Sequence, residues 1–393
     1  MKKTIKILLS LLIICLIFTV ASVRAEGEGQ ELEIVTDAKS AILMEPTTLE
    51  VIYEKNAHEL RAPASLTKIM TMILIYEALE KGLISKTTML TASENIKGLE
   101  GTKIYLEVGE KMSVDDLLKS VAIGSANDAA IVFAEALGGS IANFSKMMNK
   151  KAQSIGCKNT SFKNPNGLYV DGHLTTAYDV AVMSSYLINH YPEVLNYTKI
   201  YEDYVRENTE KRFWLVNTNK LVKYVEGVDG LKTGWLPEAG NNLSLTMKKD
   251  GMRFIAVVMG CTTNIKRNTE ALQLLNYAIN NYQVISLFKR NAVVKTYEDV
   301  SFYPKLYHII LTDDVNVLNK KGEPLKKVTT ELVINYNNLY YNNKKVGTLK
   351  VYYDGELIKE VNLAVKEEVK RASYFTIFCE VLKEIFLVST VSV

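Results

Sequence analysis

Residues 62–76, Ala62-Pro63-Ala64-Ser65-Leu66-Thr67-Lys68-Ile69-Met70-Thr71-Met72-Ile73-Leu74-Ile75-Tyr76, carry a single charge. Nearly all the others are apolar or small, so a helix built from them has almost no polar face and belongs inside a protein. Pro63 suits the first turn, where its missing N–H costs nothing. The one charge, Lys68, follows Ser65 by three residues, which puts both side chains on one helical face. Burial disfavours the ammonium form, so Lys68 is suited to accept a proton from the Ser65 hydroxyl. The start of the helix also offers backbone N–H groups to an oxyanion. For this segment alone, an ordinary buried lysine paired with a carboxylate fits equally well.

Two further triplets bear on that choice. Asp115-Asp116-Leu117-Leu118-Lys119-Ser120-Val121-Ala122-Ile123-Gly124 reads as an amphipathic helix, and a second, apolar helix starts after Asp128. Ser125-Ala126-Asn127 therefore occupies a helix–helix junction, where short polar side chains can face a cleft. Ser125 and Asp128 are also candidate helix N-caps. Val228-Asp229-Gly230-Leu231-Lys232-Thr233-Gly234-Trp235 reads as a short strand interrupted by glycine. Such a strand is weakened unless another backbone approaches closely, as an extended substrate adding to a sheet edge would. Lys232 and Thr233 offer a charge and a hydroxyl to a terminal carboxylate, although a bulge near a turn accounts for the glycines too. Two decoys fall away by order and context. Ser286-Leu287-Phe288-Lys289 follows the single Lys-Thr-Gly, and Ser93-Glu94-Asn95 reads as a polar turn.

With these triplets in order, the chain resembles the serine-type D-alanyl-D-alanine carboxypeptidases, the low-molecular-weight penicillin-binding proteins. Further blocks carry the likeness: Ala41-Ile42-Leu43-Met44-Glu45-Pro46, Leu106-Glu107-Val108-Gly109-Glu110, Asn164-Pro165-Asn166-Gly167-Leu168 and Thr176-Ala177-Tyr178-Asp179. The resemblance implies an α+β catalytic domain, an antiparallel sheet flanked by helices, followed by a small all-β sandwich. It implies Ser65 as nucleophile on a stem peptide ending in D-Ala-D-Ala, Lys68 as general base and Ser125 as proton relay to the departing D-alanine. Asn127, Lys232, Thr233 and Gly234 would bind substrate, and the N–H groups of Ser65 and Trp235 would form the oxyanion hole. Arg267 matches a family arginine near the substrate carboxylate. β-Lactam antibiotics would acylate the same serine. Leu236-Pro237 and Asn217-Thr218-Asn219 depart from patterns found in parts of the family, both at the rim of the site. A β-lactamase on the same scaffold is the nearest alternative, but no convincing glutamate motif for a second base lies between Ser125 and Lys232. A non-catalytic wall-binding protein is a third, against which the intact triplets count.

The rest of the chain implies location. Met1-Lys2-Lys3 precedes an apolar run over residues 7–23, and Val23-Arg24-Ala25 places a small residue before a cleavage point. Residues 1–25 are therefore expected to be a signal peptide, with a retained membrane anchor as the alternative, since the run is close to spanning length. Domains are expected over residues 26–285 (catalytic) and 290–367 (β-sandwich), the latter with a hairpin turning at Asp354-Gly355. Residues 370–393 hold an apolar face of Tyr374, Phe375, Ile377, Phe378, Val381, Leu382, Ile385 and Phe386, opposite Glu380, Lys383 and Glu384. That pattern fits a helix lying in a membrane surface better than one spanning it, and docking on the protein's own body is the alternative. The expected location is the outer face of the cytoplasmic membrane or the cell wall. A net charge of +3 with scattered lysines gives no sign of nucleic acid. Cys157, Cys261 and Cys379 make no disulfide framework, and His58, His173, His190 and His308 have no metal-ligand spacing, so neither metal nor cofactor is expected. His173 reads as a structural loop residue.

Overall fold

The computed structural model describes residues 34–207, 209–335 and 345–388. The expected signal peptide over residues 1–25 lies outside them. The account below concerns the unit Asp37–Val393.

Residues 62–76 do not form one helix from their first residue. Ala64 has φ +49°, a left-handed conformation that an α-helix excludes. A 3-10 turn over Ala64–Thr67 follows, and helix α1 runs from Lys68–Glu80. Its residues from Lys68 to Tyr76 are all buried, as the lack of a polar face requires. Around it pack α2 (Val114–Ala122), α3 (Asn127–Gly138), α4 (Ile141–Ser154) and α5 (Ala177–His190), whose apolar residues join one core.

Beside this bundle stands a five-stranded antiparallel sheet of β1 (Ser40–Met44), β2 (Val51–Lys55), β3 (Val228–Leu236), β4 (Gly240–Lys249) and β5 (Met252–Cys261). Its order is β2-β1-β5-β4-β3. Ile42, Met44, Ile255, Val257 and Met259 join the helical core. Their alternates Ala41, Leu43, Phe254, Ala256 and Val258 are equally buried, since successive side chains leave a strand on opposite faces. Helix α6 (Asn264–Asn281) packs against β4 and β5 and brings Ala271, Leu274, Leu275 and Ala278 into the interior.

Side-chain caps mark most helix starts: Ser113 accepts from Asp116 N–H at 3.1 Å, Thr176 from Asp179 N–H at 3.0 Å and Thr263 from Lys266 N–H at 3.2 Å. The start of α3 has none. Neither Ser125 nor Asp128 is its cap: Ala126 holds that position, and Asp128 lies inside the first turn. The Asp128 carboxylate instead accepts from Ile104 N–H and Leu106 N–H, both at 3.1 Å to Oδ2.

The chain continues past α6 into an all-β region. It comprises β6 (Tyr282–Phe288), β7 (Val293–Glu298), β8 (Leu306–Leu311), β9 (Val315–Lys320), β10 (Val328–Ile334), β11 (Gly347–Tyr353) and β12 (Glu356–Val365). Five of these strands form a sheet in the order β7-β8-β12-β11-β10 around their own apolar core, while β6 pairs with β9. Asp354 and Gly355, at φ +55° and +86°, make the tight turn between β11 and β12. Ser286 lies on β6 and Lys289 just after it, and neither lines the cleft described below. A last helix, α7, covers Tyr374–Val388.

Candidate active site

The 3-10 turn before α1, the α2–α3 junction and edge strand β3 converge on a cleft of about 560 Å3. Ser65, Ser125, Asn127, Thr233, Trp235 and Arg267 line it, together with Gly234. Lys68 and Lys232 lie beneath its walls, at 0% and 1% exposure.

Lys68 Nζ meets three neutral acceptors: Ser65 Oγ at 3.1 Å, Asn127 Oδ1 at 2.7 Å and the Asn166 carbonyl at 2.8 Å. Among the described residues no carboxylate pairs with it. Burial therefore holds its amine well below the usual lysine range, and the Lys232 charge adds to the effect while Asp128 opposes it. Lys232 is brought down to about 7, by burial first and then by Arg267. Its Nζ donates to the Thr233 carbonyl at 3.0 Å, and Thr233 Oγ1 donates to Thr218 Oγ1 at 2.7 Å.

Gly234 allows the sheet edge to meet the serine. A Cβ there would lie 2.9 Å from the Pro63 carbonyl oxygen and 3.1 Å from the Ser65 nitrogen. The backbone that approaches this strand so closely is thus the chain's own turn at residues 63–65. Asn242, fully buried on β4, fastens the same turn by donating to the Ala62 and Pro63 carbonyls at 3.2 and 3.3 Å, and accepts from Gly260 N–H at 2.8 Å. Ser125 is held at φ +60°, outside the ordinary range for a serine, at the point where α2 gives way to α3. Trp235 points outward and is 61% exposed. The Arg267 guanidinium donates to Asn268 Oδ1 at 2.9 and 3.0 Å from the first turns of α6.

Asn166 and Asn242 were not singled out in sequence, and Thr218 only as part of the rim segment Asn217-Thr218-Asn219. Asn166 falls in the block at residues 164–168, which was a signal for that loop but not for the carbonyl. The loop braces itself: Gly167 N–H donates to Asn164 Oδ1 at 2.7 Å, and Thr71 Oγ1 donates to the Pro165 carbonyl at 2.6 Å. His173 supports it from behind. Its Nδ1 accepts from Lys163 N–H at 3.1 Å, so Nε2 carries the proton toward Thr67 Oγ1 at 2.8 Å. Burial lowers His173 to about 4 and keeps it neutral. Cys157 and Cys261 are buried free thiols, the latter pushed up to about 12. No group of three or more His, Cys, Asp or Glu among the described residues is placed to hold a metal ion.

A serine hydroxyl met by a buried lysine, facing an open sheet edge across a cleft, defines a serine-type hydrolase. The family model for D-alanyl-D-alanine carboxypeptidase matches residues 27–263, and that for the penicillin-binding protein 5 C-terminal domain matches residues 282–371. The chain belongs to the D-alanyl-D-alanine carboxypeptidase family. It is 43% identical over 375 residues to D-alanyl-D-alanine carboxypeptidase DacF of Bacillus subtilis, covering 94% of this chain and 96% of that one. Penicillin-binding protein 5 of Haemophilus influenzae superposes with a TM-score of 0.69 at 27% identity, over 85% of this chain and 98% of that one. Penicillin-binding protein D2 of Listeria monocytogenes, solved in an ampicillin-bound form, gives a TM-score of 0.56 at 33% identity, over 62% of this chain and 97% of that one.

Proposed function

We propose that this chain is an exported carboxypeptidase that removes the terminal D-alanine from peptidoglycan stem peptides through an acyl-enzyme on Ser65. The observation that carries the reading is the 3.1 Å contact between Lys68 Nζ and Ser65 Oγ in a pocket that favours the neutral amine. A neutral Lys68 takes the hydroxyl proton as Ser65 attacks the penultimate carbonyl. The resulting oxyanion is met by the N–H groups of Ser65 and Trp235, and losing one such donor typically costs about 2.7–4 kcal/mol of transition-state stabilisation. Ser125 passes the proton to the leaving D-alanine. Asn127 holds the substrate backbone, while Thr233, Lys232 and Arg267 receive its terminal carboxylate. The bond to the leaving amine breaks, and water then releases the shortened peptide and regenerates Ser65. β-Lactams acylate the same hydroxyl.

Helix α7 supplies the proposed contact with a membrane surface. Tyr374, Phe375, Phe378, Ile385 and Phe386 are exposed, while Glu380 pairs with Lys305 at 3.6 Å and Lys383 at 2.7 Å. Glu380 thus faces Lys305 of the β-rich region, while the exposed apolar side chains suit a helix lying in the interface. No helix among the described residues is long and apolar enough to cross a membrane.

The test is release of D-alanine from a D-Ala-D-Ala peptide by wild type and by Ser65→Ala. Wild-type release abolished by the substitution is expected. Absence of release, or equal release by Ser65→Ala, overturns the reading.

A further inference from the structure

Two acidic or basic residues are among those lining the cleft in the described chain: Arg267 on the sheet side and Glu100 on the helical side. Arg267 has a place in the reading above. Glu100 has none, yet its position is closely defined. Its carbonyl accepts from Asn127 Nδ2 at 2.7 Å, and Asn127 N–H donates to the Thr102 carbonyl at 2.8 Å. Between them Gly101, at φ +72°, leaves only 2.9 Å from its Cβ position to Asn127 Nδ2. The backbone around Glu100 is therefore clamped against the very amide assigned to the substrate backbone.

The carboxylate itself is exposed and makes no ion pair or side-chain hydrogen bond among the described residues. The neighbouring cations are engaged elsewhere. Lys103 donates to the Leu99 carbonyl at 2.5 Å, and Lys97 pairs with Glu94 at 2.5 Å. The cleft is thus bipolar. Its cationic side suits a peptide's terminal carboxylate, and a strand docked on β3 by that end carries its preceding residues past Asn127.

Resting on the proposed carboxypeptidase reading, we infer that Glu100 is a specificity-determining residue. It selects stem peptides in which a residue upstream of D-Ala-D-Ala bears a free side-chain amine. The ammonium is drawn to Glu100, while Trp235, Leu236 and Pro237, all lining the same cleft, offer apolar surface to the aliphatic arm that carries it.

The experiment compares Nα-acetyl-L-Lys-D-Ala-D-Ala with its Nα,Nε-diacetyl counterpart, reading kcat/KM for D-alanine release by wild type and Glu100→Gln. Wild type is expected to prefer the free amine about three- to fivefold, the scale of an exposed ion pair. That preference shrinks as salt is raised. Glu100→Gln removes it while leaving the diacetyl peptide unchanged. No preference in wild type, or a preference that survives Glu100→Gln, overturns the inference. So does an equal loss for both peptides, which would assign Glu100 to supporting Asn127. Failure to release D-alanine from either peptide is a different result, and it refutes the carboxypeptidase reading instead.

Discussion

Gly167→Ala tests whether the loop at residues 164–168 is a working part of the site. Gly167 has φ +87°, and a Cβ there would sit 1.9 Å from the Ala64 carbonyl oxygen, 2.4 Å from its carbon and 2.9 Å from Thr67 Oγ1. Two of these atoms are backbone, so no flexible side chain can yield. The loop is also tied through Asn164 and Thr71 and cannot retreat freely. The left-handed backbone costs about 1–2 kcal/mol for a residue with a Cβ, and forced displacement in a packed interior about 1–3 kcal/mol more. Together these predict a loss of about 2–5 kcal/mol, hence a fall in Tm of about 4–20 °C at about 2–4 °C per kcal/mol for a domain of this size. The displaced pair are Ala64, next to Ser65, and Gly167, next to the Asn166 carbonyl that holds Lys68. Acylation by a fluorescent penicillin should therefore slow by about tenfold or more, since each 1.4 kcal/mol lost at the transition state is a factor of ten. Gly82→Ala is the control: φ is +67° there, but the added Cβ meets nothing within 4 Å. If Gly167→Ala loses no more Tm than Gly82→Ala and acylates at the wild-type rate, the close approach is not what the site depends on.

Other expectations follow from the charges and the tail. Lys232 sits at about 7 in the folded protein against an ordinary value near 10.4, so between those limits the unfolded chain binds the extra proton. Stability should therefore rise with pH across that window, and Lys232→Met should flatten the rise in chemical denaturation. In catalysis the sign reverses, because carboxylate binding needs the charged form: KM for a D-Ala-D-Ala peptide should climb as pH passes above about 7, and Lys232→Arg should remove the climb. Asp128→Asn deletes a charge that holds Ile104 N–H and Leu106 N–H, at a cost of about 1–3 kcal/mol in denaturant unfolding. It also removes the one influence raising Lys68, so the acylation pH profile should move to lower pH. A chain ending at Ala372 keeps the strand pairing of Lys370 and Arg371 with residues 302 and 303 but lacks α7. It should cleave soluble peptide normally and fail to sediment with anionic lipid vesicles; equal sedimentation would remove α7 from the membrane reading.

The features legible in sequence were those governed by short-range pattern. An apolar run without a polar face had to be buried, and Lys68 with it. Glycines within a strand signalled a close backbone contact, and Asp354-Gly355 announced its hairpin. What the pattern could not show was which backbone approaches Gly234, because residues 63–65 lie far away in sequence. The same holds for Asn166 and Asn242, which reach Lys68 and Pro63 across 98 and 179 residues. Asp128 was a cap candidate because a short acid near a helix start is the usual N-cap signal. Here its carboxylate is drawn instead to two N–H groups of an irregular loop, which have no strand or helix to satisfy them.

That diversion of Asp128 explains how a lysine can be buried at the centre of the protein and still act as a base. A carboxylate hydrogen-bonded to Lys68 would stabilise its ammonium form and abolish its basicity at neutral pH. The three partners of Lys68 are neutral: Asn127 Oδ1 and the Asn166 carbonyl accept the two N–H bonds of the neutral amine, and the Ser65 hydroxyl can donate to its lone pair. Asp128, the acid that acts on Lys68, spends its lone pairs on Ile104, Leu106 and Ala129 N–H groups and makes no hydrogen bond to the amine. Lys232, also buried, adds repulsion from the other side. Desolvation and the Lys232 charge therefore outweigh the opposing pull of Asp128 on Lys68, and the loop that holds Asp128 is the one whose Glu100 and Thr102 carbonyls hold Asn127. Loosening that loop would alter substrate binding and the basicity of Lys68 together, because both pass through the same few backbone bonds.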